Sequence, residues 1–71
     1  MNLAAAIKAL EKMAERLEAD ERELAHVPAE SISQLHALLT ARRVMTQHAK
    51  SMRDAAERMR KLHKPAPMPA T

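Results

Sequence analysis

His26-Val27-Pro28-Ala29-Glu30-Ser31-Ile32-Ser33-Gln34 separates two long stretches of helix-forming residues. Proline disfavours a helical Val27 yet suits the first turn of a new helix. Ser31 followed three residues later by Gln34 is a capping-box pattern. A second helix therefore begins at Pro28 or at Ile32. A connection this short makes the two helices antiparallel neighbours.

Upstream of the break, Asn2 is a good N-cap for a helix over 3–25. Leu3, Leu10, Leu17 and Leu24 recur every seven residues, with Ile7, Ala14 and Glu21 interleaved. This is a 3-4 repeat with leucine at d and mostly small residues at a. Downstream, over 29–64, Leu38, Met45, Met52 and Met59 repeat at the same spacing. Leu35, Arg42, Ala49, Ala56 and His63 fall between them. Pro65, Pro67 and Pro69 then end the helix. The organisation expected is one hairpin domain, 1–64, and a disordered proline-rich tail, 65–71.

Composition points the same way. The chain has 71 residues, no Gly, no Cys and no Phe, Tyr or Trp. Without glycine the tight turns that strands need are hard to make, so the fold class is all-α. One small core is marginal at this size, and disulfides are excluded. Oligomerisation is the remaining source of burial, and a homodimer forming a four-helix bundle is expected. Met13, Val27, Leu39, Ala41, Ala55 and Leu62 widen the apolar stripe beyond a two-helix seam.

Helix lengths of roughly 35 and 50 Å follow from about 1.5 Å per residue. Folding back at Val27 pairs Leu24 with Ile32 or Leu35, Leu17 with Leu39, Leu10 with Met45 and Leu3 with Met52. Met59 and Leu62 then project past the first helix, leaving about 1.5–3 kcal/mol of burial apiece to a second hairpin.

Charge is segregated. Glu18, Asp20, Glu21 and Glu23 crowd the last turns of the first helix. There they oppose its own dipole, but the hairpin places them beside the N-terminus of the second helix. The second helix carries Arg42, Arg43, Lys50, Arg53, Arg58, Arg60, Lys61 and Lys64. An acidic loop end and a basic open end favour an antiparallel dimer. Arg42 and Glu21 occupy seam positions. They sit at a bundle edge, paired or reaching water, or they fix register as polar a-position residues do.

The residues do not suggest catalysis. His26, His36, His48 and His63 include no i,i+3 or i,i+4 pair, so no two-ligand metal site is expected. No glycine-rich loop cradles phosphate, and no long loop builds an oxyanion hole. No cofactor and no small-molecule substrate are expected. No apolar run reaches membrane-span length, and Met1 to Leu10 lacks a signal-peptide pattern, so a cytoplasmic location is expected.

The outer strip of the second helix is thinly charged: His36, Thr40, Arg43, Val44, Gln47 and Lys50. Interface cores are depleted in charge, and these six are the candidate partner-binding residues. Nucleic acid is the weaker alternative. Basic side chains could track phosphates, but no aromatic is present to stack on bases and net charge is only +3.

Two families are similar. The layering of Ala14 with Leu10 and Leu17, and of Ala49 and Ala56 with Met45, Met52 and Met59, resembles the plasmid repressor-of-primer family. That resemblance implies an antiparallel four-helix dimer binding RNA. The RNA-contacting face of that family depends on an aromatic, which this chain lacks. The glycine-free, Ala- and Arg-rich chain from Leu3 to Lys64, split at Val27-Pro28, resembles the quorum-sensing anti-activators of Mu-like Pseudomonas phages. That resemblance implies a homodimeric inhibitor, phage-encoded and acting in the host cytoplasm. Its targets would be a LuxR-type transcription regulator and the ATPase that drives type IV pilus assembly. A third expectation, from the scaffold alone, is a structural oligomerisation module.

Overall fold

The computed structural model describes residues 2–63, and in it two helices pack against each other. They are α1, Leu3–Leu24, and α2, Ile32–His63. Among the described residues there is no strand. Lys64, expected to close the second helix, and the tail at 65–71 lie outside the described residues.

Asn2 caps α1 as its side chain predicts. It is extended (φ −88°, ψ 174°), and its Oδ1 accepts from the Ala5 amide at 2.8 Å. One orphan donor of the first turn is thereby satisfied. α2 starts at Ile32, the later of the two starts expected and past the 29 of the 29–64 range. Ser31 Oγ accepts from the Gln34 amide at 3.1 Å, and Gln34 Oε1 accepts from the Glu30 amide at 2.7 Å. The reciprocal bond thus reaches Glu30 and not Ser31. Ser31 is the N-cap, and Pro28 belongs to the connection.

That connection is the cause of a larger difference. Helices often end on a glycine in the left-handed region. This chain has no glycine, and no described residue has positive φ. α1 instead closes with tight bonds from the His26 amide to Glu23 O and from the Val27 amide to Leu24 O, both 3.1 Å. The chain then runs from Ala25 to Ser31 before it becomes helical again. A connection of that length does not reverse at Val27. It climbs along α2, and Val27 and Pro28 line a shallow hollow with Gln34, Ala37 and Leu38.

The register shifts accordingly. Glu21 pairs with Arg42, Glu18 with Arg53 and Glu11 with Arg60. The end of α1 therefore lies beside Arg42, not beside Ile32 or Leu35. The expected pairs of Leu17 with Leu39, Leu10 with Met45 and Leu3 with Met52 do not form. Met59 is not beyond α1; it sits level with its first turns and is half-buried. The overhang is at the other end: Ile32 to Ala41, about 15 Å of helix at roughly 1.5 Å per residue, extends past α1 at the loop end.

Within the single hairpin the seam is made mostly of small residues. The buried apolar residues are Ile7 and Ala14 on α1 and Ala49 and Ala56 on α2. All four are a-type positions, so the small residues form the seam and the larger d-type residues flank it. Alanines at the contact let two helix axes approach closely, toward the short end of the usual ~8–10 Å range. Of the larger expected core residues, Leu10, Leu17, Leu24, Leu38, Met45, Met52 and Met59 are half-buried. Leu3, Met13, Leu35, Leu39 and Leu62 are exposed, Leu62 at 82%.

Candidate functional site

Helical spacing gives the hairpin two unlike edges. At about 100° per residue, Glu11 and Glu18 fall on one side of the Ile7–Ala14–Glu21 column of α1. Leu3, Leu10, Leu17 and Leu24 fall on the other. On α2, Arg53 and Arg60 lie on one side of the Ala49–Ala56 column and Met45, Met52 and Met59 on the other. Because the helices are antiparallel, the charged sides meet each other and the apolar sides open together.

The charged edge is closed by ion pairs. Arg53 donates twice to Glu18, Nε to Oε2 at 2.8 Å and Nη2 to Oε1 at 2.5 Å, a bidentate fork. These bonds hold the Glu18 carboxyl below its ordinary pKa, and the same bonds raise the Arg53 guanidinium. Arg60 pairs with Glu11 further along. Arg42 Nε donates to Glu21 Oε1 at 2.8 Å, with the two side chains 37% and 22% exposed. These two seam residues, expected to pair with each other's neighbours or reach water, bond directly to each other between the helices. The acids of α1 thus sit beside the middle of α2. The expected placement beside its N-terminus does not occur, because α2 overhangs.

The other edge is open. Met13 and Leu17 of α1 face Met52 and His48 of α2 across an apolar hollow, with Arg16 and Asp20 at its margin. Met13 is 50% exposed. The spacing of Ala41, Val44, His48, Met52, Ala55 and Met59 continues this surface along α2. Val44 (41% exposed) thus stands at the margin of the open edge.

The remaining candidate contact residues, His36, Thr40, Arg43, Gln47 and Lys50, are exposed on the outer side of α2. Their spacing places them in one strip, as expected. Leu35 and Leu39, expected in the dimer core, and Ile32, an expected neighbour of Leu24, adjoin that strip on the overhang. What sequence reasoning missed is the importance of Ala14 and Ala49, and the pairing of Glu11 and Glu18 with Arg60 and Arg53. The signal was present: both sets keep heptad spacing on their helices.

Among the described residues no cluster of three or more His, Asp or Glu could hold a metal ion. No helix of the described residues is long and apolar enough to cross a membrane. Among the described residues the arrangement offers three surfaces: an ion-paired edge, an open apolar edge and an exposed overhang. The chain is thus an all-α helical hairpin with one unsatisfied edge. Compared with known proteins, it matches no family model, no curated sequence and no solved structure.

Proposed function

We propose that the chain is a non-catalytic homodimeric binding protein that inhibits another protein by covering its working surface. The observation that carries the reading is the open edge. Leu10, Leu17, Met45, Met52 and Met59 are aligned along it, and every cross-helix ion pair lies elsewhere. A second copy packed on this edge completes a four-helix bundle and recovers about 1.5–3 kcal/mol for each large side chain fully buried. Two hairpins related by a twofold axis bury the same edge of both copies. The resemblance to the phage quorum-sensing anti-activators gives this reading its most specific form, a phage-encoded inhibitor of a LuxR-type regulator in the host cytoplasm.

Nucleic-acid binding is the poorer reading. Arg42, Arg53 and Arg60 are engaged by glutamates within the hairpin, which removes three cations from any phosphate-tracking row. Sedimentation equilibrium tests the dimer. Affinity capture from bacterial lysate, repeated across a salt series, tests the partner class. Recovery of nucleic acid without protein, weakening steeply with salt, overturns the inhibitor reading. A monomer at micromolar concentration overturns the bundle.

A further inference from the structure

The overhang carries a surface of its own. α1 stops beside Arg42, so the column Arg42–Ala49–Ala56 continues one heptad further to Leu35 with no α1 residue opposite. Leu35 and Leu39 are each 45% exposed and Ile32 is 74% exposed. The three are spaced i, i+3 and i+7, which puts them on one stripe of the helix. Val27 and Pro28 of the connection border a hollow with Gln34, Ala37 and Leu38, on another side of α2.

The stripe changes character along its length. Past Leu39, the same helical spacing reaches Arg43, Thr46 and Lys50. Among the described residues neither Arg43 nor Lys50 is in an ion pair, whereas Arg42, Arg53 and Arg60 each are. The Thr46 hydroxyl donates to Arg42 O at 2.9 Å and adds no charge. Lys50 and Thr46 line a cleft whose α1 wall carries Glu18 and Glu21, each already bonded to an arginine, so three apolar side chains are followed by two cations outside any ion pair among the described residues.

We propose that this stripe docks an acidic amphipathic helix of a partner protein, its apolar turns laid along α2 where α1 is missing and its acidic turns running on beside the end of α1. The partner presents leucine-like side chains at i, i+3 and i+7, and carboxylates in the next turns of the same stripe, opposite Arg43 and Lys50. The mode is helix-in-groove recognition with charge setting the register. A second copy is the less suitable occupant. The stripe and the Leu/Met edge are centred roughly 140° apart around α2 at about 100° per residue, so a dimer on that edge leaves the stripe facing outward. The inference rests on the protein-binding reading above and gives it a location and a partner chemistry.

The test uses two labelled helical peptides of about five turns. Both carry three leucines on one stripe; one continues that stripe with glutamates, the other with lysines. Fluorescence anisotropy against the full chain should show the acidic peptide binding about tenfold more tightly than the basic one. The double variant R43E/K50E should reverse the preference. I32E/L39E should abolish binding of both peptides while circular dichroism shows α2 retained. Failure of both peptides to bind, or equal binding of the two, overturns the proposal. Loss of the dimer in I32E/L39E also overturns it, by assigning the stripe to a second copy. Sedimentation of M52E keeps the two readings separate: if M52E dissociates the dimer while the stripe binds neither peptide, only the stripe falls.

Discussion

Glu21 and Arg42, one charged residue from the seam column of each helix, are bonded to each other at 2.8 Å across the hairpin. They stand one heptad from Ala14 and from Ala49, and they mark the point where α1 ends against α2. A partly exposed pair of this kind is worth about 0.5–1 kcal/mol. In a double-mutant cycle with E21A and R42A, urea unfolding should return a coupling energy of that size. A coupling near zero shows that the pair forms without stabilising. R42L tests whether the pair also fixes register: helix content should persist while the melting transition broadens.

The alanine seam should tolerate no enlargement. Ala49 and Ala56 are 2% and 1% exposed, and Ala14 is fully buried. A49L or A14L forces the helices apart, with a cost of about 1–3 kcal/mol expected for overpacking. Val44, one and a half turns from Ala49, accepts the same change to leucine with less than about 0.5 kcal/mol lost, as surface positions do. Chemical denaturation of the three variants orders them. Equal stabilities would show that the seam is not tightly packed.

If the open edge is the dimer face, L17E and M52E should yield monomers of lowered stability. The wild-type melting temperature should rise with protein concentration, because association stabilises by mass action. A concentration-independent melting curve with no change in M52E speaks against the bundle.

Acid should weaken the charged edge. Glu18 has a folded pKa below its ordinary value, set first by the hydrogen bonds from Arg53. Its contribution is therefore present above the ordinary carboxylate range and is lost as pH falls through the depressed folded value. Carbon-detected NMR titration should find Glu18 titrating at lower pH in the unaltered chain than in R53A, and E18Q should flatten the stability profile over that acid window. Coincident titration of Glu18 in the two chains would show that the fork with Arg53 is not populated in solution.

The Asn2 cap is the simplest local test. N2A removes the side-chain bond to the Ala5 amide and should cost about 0.5–2 kcal/mol, with N2D nearly neutral. Thermal melts distinguish them.

Much of this architecture was legible in the residues. Asn2, Ser31 and Gln34 announced the helix starts, and the heptads of Leu3–Leu24 and Leu38–Met59 announced two amphipathic helices. What they could not announce was register. Leucine at d and alanine at a both repeat every seven residues, so either column could be the seam. The larger side chains suggested themselves, but Ile7, Ala14, Ala49 and Ala56 were buried, since small residues permit the closest approach. The break at Val27-Pro28 was equally clear, whereas its length in space was not. That length depends on the absence of a glycine to reverse the chain at Ala25, an absence visible in the composition but assigned to fold class and not to geometry. The candidate strip at His36, Thr40, Arg43, Gln47 and Lys50 lies on one exposed side as its spacing required. Ile32, Leu35 and Leu39 joined it only once the overhang was known.

The overhang also sets the direction in which the hairpin comes apart. In most hairpins the loop end is the tightest, because the connection holds the two elements together. Here the turns from Ile32 to Ala41 lack α1 beside them, and the buried alanines lie toward the far end of α2. Amide protons near the loop should exchange with solvent fastest, and those around Ala49 and Ala56 slowest. α2 is therefore firm where the two helices share alanines and pliant at its start, so that a partner arriving at Leu35 meets a segment that can still adjust its shape.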